Sequence, residues 1–97
     1  MSKQYRAAIL LLLDEHHRQD ASKITDDTEI EGALGLSLDE VRRQLDILEE
    51  LQLTKSANTF GGHSAQISPK GMLAAEELRE GAEEKRKRYI GFDVGEK

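Results

Sequence analysis

The chain contains no cysteine. This excludes disulfide bonds, zinc sites built on thiolates, and cysteine nucleophiles. Phenylalanine, tyrosine and tryptophan together make up only 4% of the 97 residues, which is too few for a surface that binds nucleic acid by stacking bases on aromatic rings. The sequence therefore points away from thiol chemistry and from binding by base stacking.

Long hydrophobic runs are also missing. The longest run begins at Ala7 and ends at Leu13, whereas a helix that spans a bilayer needs roughly 20 apolar residues. The charged segment from Asp14 to Arg18 follows this run, where a signal peptide would carry small residues for cleavage. We expect no membrane partner, no signal peptide and a cytoplasmic location.

Motifs that carry catalysis are not found either. The sequence has no Gly-x-x-x-x-Gly-Lys-Ser/Thr loop, and neither Ser37 nor Ser64 lies in a Gly-x-Ser-x-Gly motif. No set of nucleophile, base and orienting residue can be identified. His16 and His17 are neighbours on a predicted helix and point about 100° apart, so they cannot both bind one metal ion without other ligands. We expect no enzyme activity, no metal site and no cofactor.

What the sequence does contain is helical periodicity. Apolar residues at helical spacing from Tyr5 to Leu13 predict a first helix over 3–18. Leu10 and Leu11 widen its apolar stripe, which is typical of a helix that is packed on several sides or that lends a spare face to a dimer.

A second, shorter helix is predicted after Ile24. Asp26 and Glu29 have the spacing of a capping box, in which each side chain binds a backbone N–H group at the helix start. Gly35 ends this helix, because glycine tolerates the left-handed conformation of a helix C-terminus. The predicted buried stripe consists of Ile30, Ala33 and Leu34.

The third predicted helix has the clearest pattern. Ser37 and Glu40 form a second capping-box spacing at its start. Its predicted inward stripe consists of Leu38, Val41, Leu45, Leu48 and Leu51.

From Leu53 the pattern changes to two short stretches that favour strands, 53–58 and 64–67. Gly61 and Gly62 lie between them and supply the positive φ angles of a hairpin turn. A fourth helix then starts at Pro69, since proline is favoured at the first helical position. Its apolar face is predicted to comprise Met72, Ala75, Leu78 and Ala82.

These elements predict a mainly α fold with a small β-hairpin, in the order helix-helix-helix-strand-strand-helix. We assign 1–90 to one domain and 91–97 to a C-terminal tail. Over roughly residues 5–85 the chain resembles the winged helix-turn-helix regulators of bacteria and archaea in the MarR, ArsR and PadR groups. The resemblance lies in the segment Ile24 to Leu53 and in Ile67-Ser68-Pro69-Lys70-Gly71, which is similar to the threonine-proline-lysine-glycine entry of the helix after the wing. Gln52 departs from the family pattern, which has glycine there.

The resemblance implies a DNA-binding surface made by the outer face of the third helix and by the wing. That face would also include Asp39 and Glu40. The residues expected to contact duplex DNA are Ser37, Arg42, Arg43, Gln44, Lys55, Asn58 and His63.

The distribution of charge argues against DNA. The whole chain carries a formal charge of −5, and the segment 24–51 has nine acidic residues but only two basic ones, Arg42 and Arg43. Affinity for DNA comes mostly from cations that replace the counterions of phosphates. The basic run Lys85 to Arg88 offers cations elsewhere, but it follows Glu83 and Glu84 at a spacing that favours ion pairs within a helix.

The sequence thus predicts a DNA-binding winged-helix protein that regulates transcription. The alternative is a winged-helix module that binds another protein and not DNA. Because winged helices that bind DNA usually act as two-fold dimers, we also expect a homodimer. Its predicted surfaces comprise Leu10, Leu11, Met72, Ala75, Leu78 and Ala82.

Overall fold

The computed structural model describes residues 2–57 and 63–90, with side chains for 3–57 and 63–81. The order of elements agrees with the predicted one, except that a strand absent from the prediction precedes the second helix. The predicted tail, 91–97, lies outside the described residues. The elements are α1 (Ser2–Gln19), β1 (Thr25–Asp26), α2 (Asp27–Leu34), α3 (Leu38–Glu50), β2 (Thr54–Ser56), β3 (Ser64–Ile67) and α4 (Pro69–Ile90).

The additional strand, β1, joins the two wing strands in one antiparallel sheet of order β1-β3-β2. Thr25 lies opposite Ala65, and Thr54 lies opposite Ile67. Two residues are too few to show the alternation of a strand, which is why periodicity did not predict β1. The strand nevertheless matters, because it attaches the wing to the start of α2.

One hydrophobic core holds the helices and the sheet together. Ile9, Ile30 and Leu48 are its largest fully buried apolar side chains. They come from α1, α2 and α3, so the core lies where these three helices meet under the sheet. The full set of buried apolar residues is Ile9, Leu10, Leu13, Ile30, Val41, Leu45, Leu48, Ala65, Ile67 and Ala75.

Several predicted positions differ in the structure. Leu10 and Ala75 are buried within the protomer, so they cannot form a dimer surface. Ala33 is exposed, and Leu51, at the very end of α3, is 48% exposed. In α2 the apolar stripe therefore consists of Ile30 and the partly buried Leu34, which packs against the core, and in α3 it ends before Leu51.

The start of α2 also differs from the predicted capping box. Asp26 is the N-cap residue, but its side chain caps no helix N–H group. Its Oδ1 instead accepts a hydrogen bond of 2.8 Å from the Ser64 hydroxyl. Glu29 forms an ion pair of 2.9 Å with Lys23. The Asp26 side chain, which the sequence pattern predicted to cap α2, therefore binds a residue of the sheet.

Two polar groups of α1 are engaged with other elements. The buried carboxylate of Asp14 binds the guanidinium groups of Arg18 and, on α4, Arg79. His16 is half-buried, and its Nδ1 lies 2.9 Å from the Thr25 hydroxyl. Among the described residues no group of three His, Cys, Asp or Glu side chains could hold a metal ion. In the same part of the chain, no helix is long and apolar enough to cross a membrane.

The turn from α3 into the wing contains the residue that departs from the family pattern. Gln52 has φ 66°, in the left-handed region. The Leu53 N–H group donates to the Leu48 carbonyl, and the Gln52 N–H group donates to the Glu49 carbonyl, which is the hydrogen-bond pattern of a Schellman motif. Gln52 thus adopts the left-handed conformation without being glycine, at the steric cost of a side chain in this conformation.

Ser68 connects this turn to α4. Its hydroxyl donates a hydrogen bond of 2.7 Å to the Gln52 carbonyl and accepts one of 3.0 Å from the Gly71 N–H group. A Cβ atom at Gly71 would lie 2.0 Å from the carbonyl oxygen of Leu53. Ser68 and Gly71 therefore allow the start of α4 to pack closely against the turn that follows α3.

We predict that Gln52→Gly stabilises the protein. Glycine removes the left-handed strain, about 1–2 kcal/mol, but loses part of this gain through its larger chain entropy when unfolded. The free energy of unfolding, measured by urea titration, should rise by up to about 1 kcal/mol. Gln52→Ala, which keeps the Cβ atom, should bring no such gain. An unchanged or lower stability of the glycine variant would contradict the interpretation of this turn.

We predict that Ser68→Ala lowers the free energy of unfolding by about 1–2 kcal/mol, because both the cap of α4 and the bond to the Gln52 carbonyl are lost. Ser68→Thr keeps the hydroxyl and should cost less than half as much. Chemical denaturation of the two variants side by side measures the difference. Equal losses would show that the hydroxyl is not responsible.

Candidate nucleic-acid interface

Helix α3 is set apart from α2 by a short turn. Gly35 has φ 70°, and its N–H group donates to the Glu31 carbonyl at 2.9 Å, which ends α2. The exposed Ser37 then caps α3, since its hydroxyl accepts a hydrogen bond of 3.2 Å from the Glu40 N–H group. Both predicted roles, the glycine stop and the serine N-cap, are confirmed.

Gln44 was expected to face DNA, but the structure places it in the interior with no exposed surface. Its Oε1 accepts a hydrogen bond of 3.1 Å from Arg6 of α1, and its amide nitrogen donates to the Glu40 carboxylate. Three residues after the buried Val41, it lies on the inward side of α3. The resemblance implied an outward position, but Arg6 and Glu40 together satisfy the Gln44 amide in the interior.

The two arginines of α3 have different surroundings. Arg42 is 38% exposed, and its Nε donates a hydrogen bond of 2.8 Å to Oδ2 of Asp27. Arg43 is 71% exposed, and its nearest acidic partner is Glu40, with 4.0 Å between Nη1 and Oε1. Arg43 therefore presents its charge to solvent, whereas the charge of Arg42 is compensated inside the protein.

Asp27 connects three elements. As the first residue of α2 it binds Arg42 of α3, and its carboxylate also lies 3.4 Å from the N–H group of His63, one residue before β3. Its own N–H group donates to the His63 carbonyl at 2.9 Å. The Asp27 side chain is only 5% exposed, so these contacts replace the water that a carboxylate would otherwise bind.

Burial alone would raise the pKa of the Asp27 carboxyl, but hydrogen bonds from the Arg42 side chain and from the backbone N–H groups of His63 and Thr28 outweigh it. They hold the pKa below its ordinary value of 3.8. Because the pKa is lowered in the folded protein, the stabilisation from this carboxylate is fully present above the ordinary value. It is lost as the pH falls through the folded value.

The wing contributes two of the expected contact residues within the described part of the chain. Lys55 is exposed on β2. The imidazole of His63 is 43% exposed, and its Nε2 lies 3.5 Å from Oδ1 of Asp46 on α3. Asn58 and the wing tip lie outside the described residues.

The outward face of α3 is mainly acidic. Asp39, Asp46 and Glu50 are exposed at helical spacing around Arg43. Carboxylates on this face repel phosphates, and the Debye length of about 8 Å at physiological salt leaves contacts at short range unscreened. The structure thus retains the excess of acidic over basic groups seen in the sequence. The ion pair with Asp27 also compensates the charge of Arg42, so Arg42 adds little positive charge to this face.

Asp27 is the residue of this region that sequence reasoning missed. In the sequence it stands out only as one of the nine acidic residues of 24–51. Nothing in the local sequence indicates that Arg42, fifteen residues later, would lie against it. The contact follows from the packing of α2 on α3, which a periodicity pattern does not contain.

The chain matches no family model, and no curated protein matches it. It is similar to solved structures of ZitR from Lactococcus lactis. A doubly substituted ZitR in its apo form has a TM-score of 0.72 at 22% identity, over 99% of this chain and 70% of that one. Another structure of that doubly substituted protein has a TM-score of 0.71 at 25% identity, over 89% and 56%.

A crystal structure of the heme sensor protein PefR, in complex with heme and carbon monoxide, is also similar. Its TM-score is 0.72 at 12% identity, over 93% of this chain and 66% of that one. The chain therefore spans only part of each of these longer proteins. At such identities the likeness shows the fold, which is the winged-helix fold expected from the sequence.

Proposed function

We propose that this chain is a winged-helix regulator that binds duplex DNA through α3 and the wing. The observation that carries the proposal is Arg43, which is 71% exposed at the middle of the outward face of α3. An arginine at this place in the fold can bind guanine edges or phosphates. The fold shared with ZitR and with the heme sensor PefR supports a regulatory role.

The proposed contact set is smaller than the sequence suggested. It keeps Ser37 at the start of α3, Arg43 on its outer face, and Lys55 and His63 on the wing, with Asn58 at the wing tip. Gln44 is removed because it is buried. With so few cations, recognition depends on a small number of contacts, and nonspecific affinity should be low.

A second candidate function has support from one specific observation. Asp39, Asp46 and Glu50 are exposed on the same face, and the pairing of Arg42 with Asp27 leaves that face more acidic. Such a face is complementary to a basic surface of a protein partner. In this case the winged helix would be an interaction module and would not bind DNA.

The expectations of no enzyme activity, no cofactor, a single domain over 1–90 and a cytoplasmic location remain predictions. The ion pairing expected for the basic run Lys85 to Arg88 also remains a prediction, because the side chains of this run lie outside the described residues.

We predict that Arg43→Ala weakens binding to duplex DNA about tenfold at low salt. One charge-assisted contact is worth on the order of 1–3 kcal/mol, and about 1.4 kcal/mol corresponds to a factor of ten. Lys70→Ala is the matched control, because it removes one exposed positive charge at the start of α4 that is not in the proposed contact set. An electrophoretic shift titration of wild type and both variants measures the three affinities.

Equal affinities of the two variants would contradict the role of Arg43. Absence of binding by the wild type at low salt would move the proposal to the protein-binding alternative. The stated salt concentration is part of this test, because affinity for DNA falls steeply as salt rises.

We also propose that the protein forms a two-fold dimer, with a surface that differs from the expected one. Leu10 and Ala75 belong to the core of the protomer, Leu11 and Met72 are half-buried, and Ala82 lies outside the described side chains. Leu78 remains accessible for a dimer contact. It is 39% exposed and lines, together with Leu51, an open groove of about 340 Å³ between α1, α3 and α4.

We predict a dimeric mass by light scattering at high protein concentration, and a shift toward the monomer in Leu78→Glu, because a charge in an apolar contact is costly. Glu80→Gln, at an exposed position of the same helix, should leave the mass unchanged. A monomeric mass of the wild type at all concentrations would contradict the dimer.

A further inference from the structure

Arg42 is bonded through its Nε atom to a buried carboxylate, although the fold places it on the helix expected to bind DNA. Its Nε lies 2.8 Å from Oδ2 of Asp27. The Asp27 side chain is 5% exposed, whereas that of Arg42 is 38% exposed. A carboxylate buried to this degree needs a charged partner, because leaving it unpaired costs far more than a surface ion pair gains.

The same carboxylate also holds the base of the wing. The N–H group of His63 lies 3.4 Å from Oδ2 of Asp27, and the Asp27 N–H group donates to the His63 carbonyl at 2.9 Å. Pairing of Thr25 with Ala65 continues this connection into the sheet. Removal of Arg42 would therefore leave without its charged partner a buried carboxylate that contacts α2, α3 and the wing base.

Arg43 provides the contrast within the same helix. Its guanidinium is 71% exposed, and the distance to the Glu40 carboxylate is 4.0 Å. An exposed pair of this kind is weak and can be exchanged for a phosphate at small cost. The pair between Arg42 and Asp27 cannot be opened in the same way, because Asp27 would stay buried without a partner.

We propose that Arg42 and Asp27 are a positioning pair that fixes the wing base against α3, and that Arg42 serves nucleic-acid binding without touching the nucleic acid. The part of this inference that concerns nucleic-acid binding rests on the proposed function. The sequence placed both arginines among the residues that contact DNA, whereas we assign Arg43 as a contact residue and Arg42 as a positioning residue.

The first test uses the dependence of DNA affinity on salt. The slope of log K against log salt is negative, and replacement of a residue that binds a phosphate reduces the magnitude of this slope by about one. We expect this decrease for Arg43→Gln. The double variant Asp27→Asn/Arg42→Gln keeps the net charge and a neutral hydrogen-bonding pair. We expect it to keep the wild-type slope and to lose no more than about threefold in affinity. If the magnitude of the slope of this double variant fell by about one, Arg42 would contact phosphate, and the proposal would be overturned.

The second test needs no DNA and separates this inference from the proposed function. Hydrogen exchange at the His63 amide should be about tenfold faster in Arg42→Ala than in wild type, because the wing base loses its support. Arg43→Ala is the matched control and should exchange at the wild-type rate. Equal rates at His63 in the two alanine variants would overturn the proposal, whether or not the protein binds DNA.

If Arg42→Ala does not fold, the neutral double variant decides. Protection of the His63 amide in that variant at the wild-type level supports a pair that positions the wing through hydrogen bonds. Loss of this protection in a folded double variant would contradict it.

Discussion

The burial of one carboxylate constrains how α2, α3 and the wing are placed relative to one another. Asp27 begins α2, lies under the base of the wing and faces α3, with 5% of its side chain exposed. Apolar packing has no direction and allows helices to slide on one another, whereas a buried charge requires donors at fixed places. Arg42 and the His63 N–H group are those donors. Their positions relate the wing and α3 to each other.

This constraint changes how the charges of the helix-turn-helix unit should be counted. Counting residues gives two cations against nine anions over 24–51, but Arg42 and Asp27 cancel within the fold. The free cation of the outward face is Arg43, among Asp39, Asp46 and Glu50. The fold shared with ZitR and PefR is neutral between DNA and protein partners, so the choice between them depends on this face.

Much of the fold could be predicted from the sequence, because local rules determine it. Gly35 ends α2, Ser37 begins α3 and Pro69 begins α4, as their backbone preferences require. The predictions failed where a distant partner decides the outcome. Gln44 is buried because Arg6 satisfies it, and β1 exists because the wing strand β3 pairs with it.

In the candidate site, too, some features follow from the local sequence and others depend on a distant partner. The exposure of Arg43 follows from its place on the helix, but the orientation of Arg42 depends on Asp27, fifteen residues away. The family resemblance placed both arginines on the DNA-binding surface. Helical spacing could not distinguish their partners, because it describes directions along one helix and contains no information on neighbouring helices. The structure separates them into one that faces solvent and one that faces a buried acid.

The most direct test of this account is the titration of the Asp27 carboxyl group, followed by the carbon chemical shift of its side chain in the folded protein. The account predicts a midpoint below the ordinary value of 3.8, because Arg42 and the backbone N–H groups favour the ionised form. Arg42→Gln should move this midpoint upward. A wild-type midpoint at or above 3.8, or one that does not respond to Arg42→Gln, would contradict the claim that this buried pair organises the wing and α3.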